Sequence, residues 1–598
     1  MKHYYQDGKI CLKGQSWEQA LYDVSNEKIS VQFDGNGGLT KYLVGNQNKN
    51  HIHSFTALHF SLNGKHILLR AEKKVEMIGR MQTLILKQDG AEIKIVQFLS
   101  KEVNGVFYEI TCSSEKVVDL EIVFDCGTGN KAKQEYIDEV ETNIVSGAHF
   151  ACCCSSPGVW LQENHFFHVK ADPARETVTR FLLSFDRELQ AENVWEDFEN
   201  FQKYKAEAEQ EVEDIVLPAS VQTEEEKALY YSCHFVALEN HKKSGEFNAF
   251  CAGSNYIDII RTYFRDSYFT VLPMYNGHID LVRAQILTLA KGISSCGDCP
   301  SAVTHDFSDF WGNHFDSPSF FVIMIYDYIK NTGDETLLEE IVGGETIFKK
   351  AVAVIERLSQ YTDRTGLIFK PGKYNKRDWA DEVNRNGYVT YVEVLYARAL
   401  YCLAKMHTWQ NIAGEEKYAQ KYEKVKSAIN KILFNEEKGY FVNYKDGDFV
   451  EENLSIDTVF AVIFKIADKE RSLRILDAME KLLETRNNQD IDADFGVACV
   501  YPPYERLTGA NHRSARHFDY HNGANWPYLS AMYAYAKMIY GKEYKYALTS
   551  WFSYNVQRGN YTPIEYFSPY WGCGSNMQAW SGVCAFVFDQ IGKKAFFE

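Results

Sequence analysis

The sequence predicts a multidomain chain: an N-terminal antiparallel β-sandwich over residues 1–187, a helical linker over 188–222 and a C-terminal (α/α)6 barrel over 223–598. Three observations carry this. From the start to about residue 190, apolar and polar residues alternate and turn signals recur. Between about 187 and 230, Glu, Gln, Lys and Ala dominate. From 224 onward, helix-length apolar segments alternate with polar, Gly-bearing loops. A chain of 598 residues has ample core for several such units.

In order, the alternating runs fall at 29–33, 83–87 and 93–98, and a turn run, Asp34-Gly35-Asn36-Gly37-Gly38, follows the first. The stretch 106–112 is less regular but rich in strand-favouring residues, and 118–124 alternates clearly at its start. Strands of this length with such turns indicate a sandwich. The linker, 194–213 at its densest, ends at Asp214-Ile215-Val216-Leu217-Pro218. Helices are expected at 224–240, 267–289, 317–330, 337–358, 389–407, 417–433, 457–467, 469–484, 525–539 and 577–588. Helices in that number pair into hairpins, and a closed ring of six hairpins gathers its loops at one mouth.

The net charge of −17, with no stretch of clustered Lys and Arg, argues against nucleic acid as a partner. The N-terminus has no apolar leader and no run approaches a membrane span, so a cytoplasmic chain without membrane contact is expected. Cysteines such as Cys112, Cys233, Cys402 and Cys584 lie in apolar segments, as reduced, buried thiols do. Cys152-Cys153-Cys154 alternates direction in a strand and cannot aim three thiols at one ion. Cys296 and Cys299 form one CxxC without a second pair. No cluster has a catalytic zinc set and no phosphate loop is present, so neither a metal nor a cofactor is expected. Aromatics reach 14%, a composition that suits sugar binding and also fills cores.

The residues that carry chemistry fall in loops. Lys376 to Gly387 sets Asp378, Asp381 and Glu382 around Trp379 just before an expected helix. A carboxyl beside an indole loses solvation, which raises its pKa and keeps its proton near neutrality, as a general acid needs. A second carboxyl in a similar setting, Glu565, comes much later, in Pro563-Ile564-Glu565-Tyr566-Phe567-Ser568-Pro569-Tyr570-Trp571-Gly572. Two such groups suggest glycoside chemistry, one giving a proton and the other activating water or attacking. The remaining unusual loops are 261–267, 305–316, 492–496 and 516–527.

Together these loops resemble the six-hairpin glycosidases, most closely the amylo-α-1,6-glucosidase region of glycogen-debranching enzymes and the processing α-glucosidases. The resemblance rests on Phe264-Arg265-Asp266; on Phe315-Asp316-Ser317-Pro318 followed by Tyr328 and Thr332-Gly333-Asp334; and on Trp379-Ala380-Asp381 followed by Val392-Glu393-Val394-Leu395-Tyr396. It rests further on Tyr520 to Pro527 and on Glu565-Tyr566 with Gln578-Ala579-Trp580-Ser581. It implies an exo-acting, inverting glycoside hydrolase that releases a terminal sugar, glucose being the expected one, with Asp381 as general acid and Glu565 as general base. The family's acid usually follows Trp-Met, so Asp378 and Glu382 stay open as the acid.

Inversion needs room for a water, roughly 6.5–9.5 Å between the two carboxyls. Arg265, Asp266 and Asp316 are expected on sugar hydroxyls or in an internal ion pair. Trp311, Trp379 and Trp526 are expected to stack on sugar or to wall the pocket, His521 and Asn522 to form a polar wall, and Trp580 to line the site. The Asp-Trp loop also resembles the cellobiose-type phosphorylases, in which inorganic phosphate replaces the general base, and the α-L-rhamnosidases. A pocket that binds carbohydrate without turnover is a further alternative. Proteins of this arrangement often dimerise, which leaves a homodimer open.

Overall fold

In the computed structural model, all residues are described except 16, 17, 19, 46–49, 67–70, 116, 117, 126–132, 138–141, 148, 149, 155–165, 172–176, 186–190, 255–258, 506–512 and 598. The chain forms two compact units. The first comprises Met1–Lys243 with Gly253–Ile260 and Asn555–Pro563, and the second Ser244–Ala252, Arg261–Tyr554 and Ile564–Glu598.

The first unit is built from antiparallel sheets. Ten strands lie in the order Lys2–Gln6, Lys9–Gln15, Glu72–Ile78, Met81–Gln88, Ala91–Phe98, Val106–Ser114, Thr177–Phe185, Phe150–Cys154, Thr142–Gly147 and Lys133–Ile137. A second sheet runs Phe166–Ala171, Val118–Asp125, Asn50–Leu62, Leu39–Gly45, Ile29–Asp34 and Leu21–Ser25, with Lys65–His66 on the edge of Asn50–Leu62. Alternation in sequence becomes alternation in burial. Val75, Met77, Leu84 and Leu86 face inward on neighbouring strands while their sequence neighbours stay wetter. The side chains of the Cys152–Cys154 run and the boundary at 187 lie outside the described residues.

The predicted linker is two helices, Ala191–Glu199 and Phe201–Glu213. They are amphipathic in the service of the sheet: Val194, Phe198, Phe201, Tyr204 and Ala208 cluster with Val96, Phe98, Phe107 and Leu182. Glu224–Glu239 then opens with a capping box, Thr223 and Glu226 each satisfying the other's backbone N–H. Compactness counts this helix with the first unit, whereas the helical run in the sequence groups it with the helices after it.

The second unit is mainly helical, and several expected elements need correcting. The segment 267–289 is two helices, Phe264–Val271 and Ile279–Lys291, because Pro273 starts a 3-10 turn and Gly277 (φ 96°) breaks the run. The helix expected from 337 starts at Ile347, after the Gly343-Gly344 turn. Only Phe460–Ile463 of 457–467 is α-helical, after a 3-10 turn. Lys545–Gln557 was not anticipated. The helix expected at 577–588 starts only at Val583, after a 3-10 turn over Ala579–Gly582, and runs to Gln590; the others stand as Ser317–Thr332, Thr390–Trp409, Glu415–Ile432, Lys469–Leu482 and Pro527–Ile539. Among the described residues, no helix is long and apolar enough to cross a membrane.

Candidate active site

The loop before helix Thr390–Trp409 is closed at its base, where Lys370 and Gly387 exchange two backbone hydrogen bonds of 2.9 Å. Inside it Asp378 is fully buried. One of its oxygens accepts the Ala380 N–H at 3.0 Å; the other accepts from the Lys370 ammonium and lies 3.7 Å from Arg385 Nε. Arg385 Nη1 donates to Asp457 at 2.7 Å, and the Trp379 indole N–H donates to the same carboxylate. Burial would raise the pKa of Asp378, but Arg385 and Lys370 outweigh it and hold the group below its ordinary value. A carboxylate enclosed by two cations holds its proton poorly, so Asp378 organises the loop. Replacing Asp378 by Asn leaves two buried cations short of a counter-charge. Chemical denaturation is expected to show a loss of about 3–5 kcal/mol; a stability within about 1 kcal/mol of the parent, on the ordinary scale of surface changes, would contradict this account.

Pinning Asp378 and Trp379 presents the next two carboxyls. Glu382 is spent on a neighbouring turn: its Oε2 accepts the Ser514 N–H at 3.1 Å and the Ser514 hydroxyl at 3.0 Å, and its Oε1 lies 3.6 Å from Arg513 Nε. Asp381 remains the carboxyl with an open side, 21% exposed. Its pKa is pushed up to about 7, first by burial; Arg265 opposes the rise, and the charges of Glu382, Glu565 and Asp378 add to it. His521 Nδ1 lies 3.7 Å from Asp381 Oδ1 and accepts the Glu382 N–H at 3.4 Å. Burial, then the charges of Arg513, Arg265 and Arg385, push His521 well below its ordinary pKa. The ring is therefore neutral, its Nδ1 lone pair is engaged by the Glu382 N–H, and it does not draw off the Asp381 proton.

Glu565 sits near the foot of a β-hairpin. Its N–H donates to Ser575 O at 2.9 Å, Gly574 N–H donates to Tyr566 O at 2.9 Å, and Phe567–Ser568 pairs with Gly572–Cys573. Glu565 is 7% exposed. Oε1 accepts the Tyr520 hydroxyl at 3.2 Å and Oε2 the Ser575 N–H at 3.3 Å. Burial raises its pKa, while Arg513 and these two hydrogen bonds resist the rise. Its setting thus gives the charged form two hydrogen-bond donors and a nearby cation. A Cβ on Gly574 would stand 2.6 Å from Glu565 Oε2 and 2.6 Å from Tyr566 Cδ1. Gly574→Ala should therefore displace the carboxyl, and a kcat loss of roughly 10²-fold is expected at little change in KM; an unaltered kcat would show that the position of Glu565 does not matter.

Helix starts supply the remaining wall. Arg265 and Asp266 occupy the buried first turn of Phe264–Val271. Arg265 donates to Asp266 at 3.2 Å and to Asp316 at 3.1 Å. Asp316 precedes Ser317–Thr332 but makes no side-chain cap; it instead meets His314 Nδ1 at 3.1 Å and accepts the Tyr391 hydroxyl at 3.3 Å. Burial favours the neutral form of Asp316, yet Arg265 and His314 hold it well below the ordinary range, whereas Asp266 is pushed up to about 6 by burial. Of the two readings of these residues, the internal ion pair is the one observed.

The aromatic residues split. Trp526 stacks on His521 (4.9 Å, 12°) and stands edge-on to Trp379 (5.7 Å, 83°). Trp580 stacks on Tyr528 at 4.8 Å with the Arg265 guanidinium 5.9 Å away, and its buried indole N–H has no hydrogen-bond partner among the described residues. Trp311 is different: it stands 49% exposed, stacked on Phe310. The Asn522 amide holds backbone, donating to Ser514 O at 2.8 Å and accepting from Tyr504 N at 2.6 Å, so it props up the 504 and 514 turns rather than facing a ligand. Lys370, Arg385, Asp457, Arg513 and the Tyr520 hydroxyl were not singled out from sequence. Of these, Tyr520 lay in a recognisable motif and Arg385 in the 376–387 loop.

A sequence profile described as Amylo-alpha-1,6-glucosidase matches residues 235–586, well over half of the chain. No curated protein matches. A bacterial glucoamylase complexed with acarbose aligns with a TM-score of 0.65 and 14% identity, over 98% of this chain and 96% of that one. At that identity the likeness speaks for the fold: antiparallel sheets followed by a helical region. A GH63 mannosylglycerate hydrolase from Thermus thermophilus in complex with glucose aligns at a TM-score of 0.44 and 14% identity, over 60% of this chain and 99% of that one, too loosely to support an argument.

Proposed function

Because the chain belongs to the amylo-alpha-1,6-glucosidase family, and is thus a glycoside hydrolase, we propose that it frees one terminal sugar, glucose in the first instance, by a single inverting displacement between Asp381 and Glu565. The supporting observation is that two carboxyls close enough for one charge to act on the other differ in kind: Asp381 is pushed up to about 7 beside a neutral His521, and Glu565 is held by a hydroxyl and an N–H.

In this reading Asp381 gives its proton to the glycosidic oxygen as the bond to the anomeric carbon breaks, and the remainder leaves as an alcohol. Glu565 takes a proton from a water on the opposite face, whose oxygen bonds to that carbon, so the configuration inverts through an oxocarbenium-like state. Solvent then returns the proton from Glu565 to Asp381. Arg265, Asp266 and Asp316 form a braced set of charges for the sugar hydroxyls, and the Trp580 N–H is a further donor. Trp379 and Trp526 wall the pocket. The finer architecture belongs to the same proposal: a sandwich over 1–187, a linker over 188–222 and an (α/α)6 barrel over 223–598.

The test is sugar release from aryl glycosides and short α- and β-linked glucans, with and without inorganic phosphate, the product anomer being followed by NMR. Free sugar of inverted configuration is expected without phosphate. Retained configuration would remove the inverting mechanism, and a phosphate-dependent release of sugar phosphate would replace hydrolysis by phosphorolysis.

A further inference from the structure

The hairpin that carries Glu565 near its foot ends in a turn, Pro569-Tyr570-Trp571, that folding alone does not explain. Tyr570 is 45% and Trp571 50% exposed, although large rings are usually covered. They are also held in place. The backbone N–H groups of Tyr570 and Trp571 both donate to Ser568 Oγ, at 3.3 and 3.2 Å, and the Trp571 indole N–H donates to His517 O at 3.0 Å. The Arg516 guanidinium lies 4.5 Å from the Trp571 ring centre, and Phe518 packs against Tyr570 at 5.8 Å.

These props come from the turn before helix Pro527–Ile539, the same segment that supplies Tyr520 and His521 to the carboxyls. Asn525 and Phe567 exchange backbone hydrogen bonds of 2.9 and 2.8 Å, so hairpin and turn form one continuous wall. At ~3.3 Å per residue, the three residues from Glu565 to Ser568 span on the order of 10 Å, and the turn that carries Tyr570 and Trp571 lies beyond them. That is beyond the ring being cleaved and within reach of the units behind it. A ring with one propped face and one wet face, its polar edge already satisfied, presents a flat apolar surface of the kind the C–H face of a pyranose covers.

We propose that Trp571, with Tyr570, is a platform for the outer units of an oligosaccharide whose terminal sugar lies between Asp381 and Glu565. It makes the enzyme prefer chains over disaccharides. The proposal rests on the glycosidase reading, so the test must separate the two. Glu565→Gln, which binds without turning over, is titrated calorimetrically with linear and α-1,6-branched malto-oligosaccharides of increasing length. The same is done in combination with Trp571→Ala and with Trp571→Phe.

Affinity is expected to rise roughly tenfold from the shortest to the longest chain, to lose that rise with Trp571→Ala, and to keep it with Trp571→Phe, in which a ring remains. A rise of equal size in the Ala variant, or no dependence on length without it, overturns the platform. Failure of the hydrolase reading shows elsewhere, as an unmodified enzyme that releases no sugar from any member of the series, and it leaves the titration readable.

Discussion

Asp381→Asn is expected to lower kcat/KM on sugars with alcohol leaving groups by roughly 10³-fold, within the range for losing a general acid, and by far less on glycosyl fluorides. Fluoride leaves without a proton, so only substrates that need the acid should register its absence. The pH profile gives a second, independent reading. An acid pushed up to about 7 must be protonated to act, so kcat/KM of the parent should fall as pH rises through about 7. The Asn variant should lose that limb on the fluoride. A uniform loss across leaving groups, or an alkaline limb that survives, would move the role to another group.

Stability adds a third reading, with a definite sign. An acid whose folded pKa exceeds its ordinary 3.8 binds its proton more tightly in the folded chain. The folded state therefore loses ground as pH rises from about 4 to about 7, and the cost persists above that. Asp381→Asn removes the cost and should be at least as stable as the parent at about pH 8, unlike Asp378→Asn. Two neighbouring aspartates of one loop thus give opposite results: one is kept charged by Lys370 and Arg385, the other is kept neutral by its surroundings.

That contrast marks what sequence makes legible. Trp379 beside three carboxyls announces a site, because an indole in a polar loop is anomalous at the level of composition. Which carboxyl holds a proton depends on partners that residue type alone does not assign: Lys370 and Arg385, from the base and the body of the same loop, close on Asp378, while Ser514, far along the chain, takes Glu382. No local pattern encodes such pairings. Strand alternation and helix-length runs were legible because burial on one face imposes a period, whereas breaks set by Pro273 and Gly343-Gly344 came out misplaced. Lys545–Gln557 has no clean cap before it, although its buried residues, Ala547, Leu548, Trp551, Phe552 and Val556, recur at helical spacing. Asn522 was recognisable as part of Tyr520 to Pro527, but its commitment to the backbone of Ser514 and Tyr504 exists only in the fold.

Glu565→Gln should cost at least as much as loss of the acid, roughly 10³-fold or more, and in a different pattern. Water must be deprotonated whatever group leaves, so the loss should be the same for alcohol and fluoride leaving groups. Because burial raises the Glu565 pKa, activity of the parent should fall as pH drops through that raised value, where the base is protonated, and the Gln variant should lack this acid limb. Fold should survive: the Gln oxygen can accept from the Ser575 N–H while its amide N–H donates to the Tyr520 hydroxyl oxygen, so its denaturation midpoint should match the parent. A phosphorylase would behave otherwise, since phosphate brings its own nucleophilic oxygen and needs no base. Glu565→Gln that keeps its rate when phosphate is supplied would therefore make Glu565 a carboxylate that braces Tyr520. A leaving-group-independent loss that phosphate does not relieve assigns it the water.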